Sequence, residues 1–289
     1  MSGKIWRVSL CALSLAIAWS ASGSVFAADG SPQEKLFSFG IIADVQYGDK
    51  DTRGARHYRE GLDKLKECVG ELNKQELAFT IQLGDIIDGN KEKTHSDLES
   101  VLEEYDKLTM PKYHVVGNHC LTAGKNTLHQ KLDLDKFYYD FTIPVAKGWR
   151  FVVLDGNDAG YGVLGKEQLA WLESRLAHAS DNREKVIVFN HFGLLKSAAR
   201  HRMKTPEPVL KLIDKSGCVV AYFAGHDHRG GYAFQDGIHH VTVKGIVEAP
   251  IDNAYAVIEV YSTKLREVGY GKEPSRELEF PVPQSTEKR

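Results

Sequence analysis

The sequence predicts one α/β domain with extra antiparallel strands toward its C-terminal end. Three observations carry this reading. From about residue 36 to residue 224, short apolar runs alternate with stretches whose apolar residues recur at helical spacing. From His239 to about Tyr270 the helical spacing gives way to successive strand-like runs. A chain of 289 residues that is 42% hydrophobic suits one large core better than two small ones.

Residues 1–27 read as a secretory signal peptide rather than part of the fold. Lys4 and Arg7 open it, an apolar run from Val8 to Trp19 follows, and Val25 and Ala27 place small residues at the −3 and −1 positions of a cut. The run is too short for a comfortable membrane span. The expected product is therefore exported, periplasmic or secreted, after cleavage near Ala27, with no stable membrane association. Cleavage removes two bases and no acid, moving the formal charge from −2 to −4. That balance gives no attraction to nucleic acid or to acidic membranes. Cys68, Cys120 and Cys218 remain, an odd and widely spaced set that reads as buried free thiols rather than a disulfide framework. A monomer is expected.

After a polar leader at 28–35, the domain spans 36–270. Leu36–Ala43 is the first strand, and Leu62, Leu65, Val69 and Leu72 mark a helix over about 57–74. Ala78–Leu83 is the next strand. Ser96 and Glu99 form a capping-box pair for a helix running to about Leu108, and Tyr113–Val116 is again a strand. A strand at Arg150–Leu154 precedes a helix carrying Leu169, Leu172 and Leu176, and Val186–Phe189 follows. Thr205 caps a helix with Pro206 in its first turn and Gly217 just past its end. Val219–Ala224 and runs at 239–247, 254–261 and 264–270 complete the strands, leaving 271–289 as a polar, loosely held tail.

Five motifs fall just past the carboxyl ends of these strands, where ligands gather in α/β sheets. They are Asp44-Val45-Gln46, Gly84-Asp85-Ile86-Ile87-Asp88, Gly117-Asn118-His119, Asn190-His191 and Gly225-His226-Asp227-His228. Singly, each has a plain explanation: Asp and Gly-Asn form turns, and Asp88 suits a helix N-cap. Together they supply oxygens from Asp44, Gln46, Asp85 and Asn118 and nitrogens from His191, His226 and His228. This mix suits two divalent metal ions such as manganese, iron(II) or zinc, and is too rich in nitrogen for calcium. Asp85 is the natural bridge between the metals, and a hydroxide held between them would attack phosphorus. His119, directly after Asn118, cannot easily share its metal and is the expected acid for the leaving oxygen. Asp88 would orient His119, or else cap a helix.

In this order the motifs resemble those of the calcineurin-like metallophosphoesterases, over residues 44–228. The resemblance implies a β-sandwich flanked by helices, with the metals at the strand ends. It also implies that Asp44, Gln46, Asp85 and His228 hold one metal and that Asp85, Asn118, His191 and His226 hold the other.

Gln46 stands where most of that family has His. The segments Phe37–Tyr47, Gln82–Gly89, Phe223–His226 and Gly230–Tyr232 are similar to the manganese-dependent ADP-ribose/CDP-alcohol diphosphatases. This branch implies cleavage of the phosphoanhydride in nucleoside-diphosphate-linked small molecules. In the basic and aromatic run Arg53, Arg56, His57, Tyr58 and Arg59, it implies that Arg56 or Arg59 pairs with the second phosphate. A solvated helix face is the plainer reading of that run. The same centre would also serve a phosphodiesterase or phosphomonoesterase. A non-catalytic metal-binding protein of this fold is the reading from another class. The chain departs from the wider family at Cys120, beside His119, where Asp or Glu is usual, and its segment Gly156–Leu164 looks shorter than in the eukaryotic diphosphatases.

Overall fold

Nearly every apolar run becomes a strand buried on both faces. A computed structural model describes residues 34–281; the expected signal peptide, most of the leader and residues 282–289 lie outside them. In chain order the elements are β1 (Phe37–Ile42), α1 (Glu60–Leu72), β2 (Phe79–Gln82), α2 (Thr94–Tyr105), β3 (Lys112–His114), α3 (Lys125–Leu132), β4 (Tyr139–Phe141), β5 (Trp149–Val153) and α4 (Lys166–Asp181). There follow β6 (Lys185–Phe189), α5 (Glu207–Ser216), β7 (Val219–Ala224), β8 (Gly231–Gln235), β9 (Ile238–Thr242), β10 (Ala254–Val260), β11 (Lys264–Gly271) and β12 (Arg276–Glu279).

The strands form two six-stranded mixed sheets, ordered β12-β11-β10-β1-β2-β3 and β4-β5-β6-β7-β9-β8. β1, β2 and β3 run parallel, as do β5, β6, β7 and β9. Their carboxyl ends therefore share an edge within each sheet. Alternation along β1 explains the sandwich. Phe37, Phe39 and Ile41 join Phe151, Phe189 and Phe223 of the other sheet in one buried cluster, while Ile42 faces α1. Phe39 stacks on Phe79 at 4.6 Å between ring centroids. Each fully buried phenylalanine is worth about 1.5–3 kcal/mol.

Outside the first sheet, Leu65, Val69 and Leu72 of α1 and Leu98 and Val101 of α2 are buried together with Ile42 and Val257. Outside the second, Leu172 and Leu176 of α4 and Val209 and Ile213 of α5 are buried against Val152, Val186 and Val188. The result is the helix-flanked β-sandwich that the resemblance implies.

Several expectations change. α2 begins at Thr94, not at a capping box: Ser96 Oγ bonds back to the Lys93 carbonyl, and Glu99 pairs with Lys131 at 2.8 Å. A preceding 3-10 turn at Lys91–Lys93 delivers the chain already coiled, so no side-chain cap is used. Thr205 does not cap α5, whose boundary residue is Pro206, but Gly217 does end it in the left-handed conformation. Residues after Gly271 are not loose throughout. β12 pairs with β11, Leu278 is fully buried, and Arg276 reaches the buried carboxylates of Glu267 and Glu273. The three described cysteines are buried free thiols, as expected.

Candidate metal centre

The turns after β1, β2, β3, β6 and β7 converge, and hydrogen bonds tie them together. Asp44 N donates to Gly84 O at 3.2 Å and Gln46 N to Asp85 O at 2.8 Å. Asp85 sits at the middle. Its Oδ1 accepts the His119 N–H at 2.7 Å; its Oδ2 lies 3.0 Å from His191 Nε2 and 3.3 Å from Gln46 Nε2. Asp44 Oδ2 accepts the His226 N–H at 2.8 Å, and its Oδ1 is 3.5 Å from His228 Nε2. His226 Nδ1 turns inward, 3.2 Å from His191 Nε2. Ligand atoms of Asp85, His191 and His226 all lie within 4.8 Å of one another.

Main-chain geometry makes this density possible. Asp44, Gln46, Asp85 and His226 all have left-handed φ, between 41° and 65°. Such values are uncommon outside glycine and turn each side chain back into the cluster. Glycines supply the remaining room. A Cβ at Gly84 would stand 2.5 Å from His191 Nδ1, one at Gly225 2.5 Å from Asp44 Oδ2, and one at Gly117 would collide with Asp85.

The donors fit a metal pair on their own evidence. Asp44 Oδ1, Gln46 Oε1 and Asn118 Oδ1 are buried without a hydrogen-bond partner. Orphaned oxygens of this kind are costly unless a cation meets them. Imidazole orientation agrees. His191 Nδ1 is 2.8 Å from the Leu83 carbonyl and His228 Nδ1 2.8 Å from Glu248 Oε1, leaving Nε2 of each ring facing the carboxylates.

Electrostatics follow from the burial. Desolvation works against the Asp85 carboxylate, but His191 and the His119 peptide outweigh it and hold its pKa below the ordinary value. Burial pulls His226 down to about 3, with His191 beside it acting the same way. His228 is also opposed by burial, yet Asp44 and Glu248 push it up to about 9.

The expected acid is held differently from the expectation. His119 Nδ1 is 2.9 Å from the Asp88 main-chain carbonyl, which accepts its N–H; the Asp88 carboxylate lies 3.1 Å away. Asp88 thus orients His119 chiefly through its backbone, and its carboxylate is bound by Lys50. Cys120 is buried behind Asp85, with its thiol pushed up to about 12 by desolvation. His119 is held instead by the Asp88 main-chain carbonyl.

The basic run divides. Arg56 stays at the site, 4.0 Å from Asp88 Oδ1 with its side chain 39% exposed. Arg59 is instead committed to Asp49 at 2.7 Å and Asp51 at 2.8 Å. Tyr58 is buried at 3% exposure beneath the Lys50 ammonium, so its ring offers no face to a substrate. Their neighbours, Asp49, Asp51 and Lys50, sit only a few residues upstream, but their pairing is a matter of loop shape.

Glu248, Lys50, Tyr161 and Asp227 were not singled out as site residues. Asp227, in the middle of the Gly-His-x-His motif, accepts the peptide N–H groups of Arg200 and His201. Lys64, from α1, donates to the carbonyls of Ile246 and Ala249 and so holds the loop bearing Glu248. No pattern in the sequence connects Glu248 to His228; only the closeness of their loops does.

Residues 37–230 match the family model for calcineurin-like phosphoesterases. The chain belongs to this family. This calcineurin-like phosphoesterase is 36% identical to a manganese-dependent ADP-ribose/CDP-alcohol diphosphatase of Oryza sativa subsp. japonica, over 86% of this chain and 96% of the relative. It is 30% identical to the protein of the same name from Xenopus laevis, over 88% of this chain and 93% of that one. Among solved structures, a dimetal phosphatase from Danio rerio matches with a TM-score of 0.77 at 25% identity, covering 86% of this chain and all of that one. The phosphoesterase is a metal-dependent hydrolase, and its donor set is built for two divalent ions. Among the described residues, no helix is long and apolar enough to cross a membrane.

Proposed function

We propose that this phosphoesterase is an exported, manganese-dependent diphosphatase that cleaves the phosphoanhydride of nucleoside-diphosphate-linked small molecules of the CDP-alcohol or ADP-ribose type. The observation that carries the reading is Gln46. Its side-chain oxygen is buried without a partner and its amide nitrogen rests on Asp85, where most of the wider family has an imidazole. The relatives that match over most of the chain are named for this activity.

Asp44, Gln46, Asp85 and His228 would hold one ion, and Asp85, Asn118, His191 and His226 the other. When bound, such a pair supplies a water nucleophile at neutral pH and neutralises phosphoryl charge. The chain's own residues do the rest. Asp85, central and negative, keeps the two sets in register. His119 keeps its Nδ1 hydrogen on the Asp88 carbonyl, so the proton it passes to the leaving phosphate oxygen is the one at Nε2. Arg56, 4.0 Å from the Asp88 carboxylate, would pair with the phosphate that is not attacked.

Assaying the manganese-loaded protein with CDP-choline, ADP-ribose, bis-p-nitrophenyl phosphate and p-nitrophenyl phosphate tests this. Preferential hydrolysis of the two anhydrides is expected, with CMP and phosphocholine released from the first. Hydrolysis of the two esters alone would replace the reading with a phosphodiesterase or phosphomonoesterase, and no hydrolysis at all with a binding protein. Export rests on the pattern at residues 1–27. Recovery of the intact, uncleaved chain from the cytosol alone would refute it.

A further inference from the structure

The loop after β5 is tied down more firmly than an idle surface loop needs to be. Gly160 (φ 120°) and Gly162 (φ 69°) flank Tyr161 in backbone regions that L side chains rarely enter. Val163 N donates to the carbonyls of Gly156 and Gly160, both at 3.0 Å, and Lys204 N donates to Gly162 O at 2.9 Å. A Cβ at Gly162 would meet that Lys204 nitrogen at 2.6 Å, so the turn and its anchor are in close contact.

This turn carries Tyr161, a fixed aromatic ring that is still 53% exposed. A single exposed aromatic needs no explanation by itself. Tyr161 differs in what its hydroxyl does: it lies 2.7 Å from His226 Nε2. Because His226 turns Nδ1 into the metal centre, Nε2 is the nitrogen left facing outward. A ligating histidine needs a partner for that second nitrogen, and partners of this kind hold ring orientation and tautomer. The aromatic neighbours of Tyr161 leave its plane free of a stacked partner. Phe192 meets it at 71° and 4.9 Å, and His226 at 68° and 5.7 Å.

We infer that Tyr161 determines specificity in two ways: its oxygen accepts the Nε2–H of His226 and fixes that ring with Nδ1 inward, and its exposed ring stacks on the base of a nucleoside diphosphate. The ligand class rests on the diphosphatase reading, whereas the contact with His226 does not. The base would then lie beside His226, over the loop that follows β5.

Hydrolysis of the anhydride in ADP-ribose consumes one water and yields AMP and ribose 5-phosphate, one product with a base and one without. Calorimetric titration of the manganese-loaded protein with each therefore isolates stacking. Tyr161→Leu is expected to weaken AMP about tenfold, within the range of one base–aromatic stack, while ribose 5-phosphate changes less than about twofold. Tyr161→Phe is expected to keep AMP affinity and to lower manganese affinity about tenfold, read by electron paramagnetic resonance titration without substrate. Equal losses for AMP and ribose 5-phosphate in Tyr161→Leu, or no loss for AMP, would overturn the stacking role. Unchanged manganese affinity in Tyr161→Phe would overturn the histidine contact. If the wild type hydrolysed neither CDP-choline nor ADP-ribose while Tyr161→Leu still lost AMP selectively, the diphosphatase reading would fall and the stacking role would stand.

Discussion

Asp44, Asp85 and His191 are fully buried, and each touches another member of the metal centre; Arg56, Arg59 and Tyr161 at the rim are 39–53% exposed. On the floor, position follows from the turn: a strand ends, the backbone turns left-handed or passes a glycine, and the side chain has one place to go. On the rim, residues of the same type, a few positions apart, have different fates. Arg56 reaches the site while Arg59 is held by Asp49 and Asp51. The floor is encoded locally, and the rim is decided by which loops meet.

Substitutions separate these two kinds of construction. The largest effect is expected at Asp85→Ala, which removes the carboxylate proposed to serve both metal ions. Hydrolysis should fall by about a thousandfold or more, as when a charge-stabilising group is lost from a catalytic centre. Metal-free protein should stay folded with a lowered thermal midpoint, since the His119 N–H and His191 lose their buried partner; near-native turnover would show that the floor tolerates loss of its centre. Glu248→Gln should lower manganese affinity by about 10–100-fold through His228, with little effect on the metal-free fold. Equilibrium dialysis measures this, and an unchanged affinity would move Glu248 from floor to rim.

pH tests the same pair. His228 has its pKa raised to about 9. A raised pKa means that the folded state holds the proton more tightly than the unfolded chain. The Asp44–His228–Glu248 contact therefore stabilises metal-free protein fully below about pH 6.5, and that contribution is lost as pH rises through about 9. The loss is at most about 1.4 kcal/mol per pH unit. Melts of wild type and His228→Gln across this window should converge as pH rises. Parallel curves would mean that the contact carries no charge. Metal binding, which needs the neutral ring, should strengthen over the same window.

The rim variants should be the mildest and should differ from each other. Arg56→Ala is expected to raise KM for CDP-choline about tenfold, the scale of a lost charge-assisted contact to phosphate. Arg59→Ala should leave KM within about twofold and the thermal midpoint unchanged, as for an exposed ion pair. Equal effects would erase the distinction drawn between them.

The legibility of the sequence follows the same line. β1, β2, β6 and β7 are almost wholly buried because both faces are covered, and their mostly apolar runs stand out at once. β4, β8 and β12 lie at sheet edges, carry polar residues, and are set by backbone pairing that composition does not reveal. The convergence of the seven residues expected to hold metal was legible because each follows a strand within a few positions. Glu248 was not, because it meets His228 across 20 residues of chain and is held there by Lys64, from a distant helix. Tyr161 was hidden in a segment remarkable only for its shortness.

The left-handed turns at Asp44, Gln46, Asp85 and His226 have a consequence for protein engineering. Residues outside glycine in that conformation each cost about 1 kcal/mol or more. A search for thermostable variants carried out without metal should therefore favour glycine at Gln46, whose φ is 41°. The selected protein would gain heat tolerance by giving up an oxygen proposed to hold metal, so stability screens of this chain need activity as a second filter.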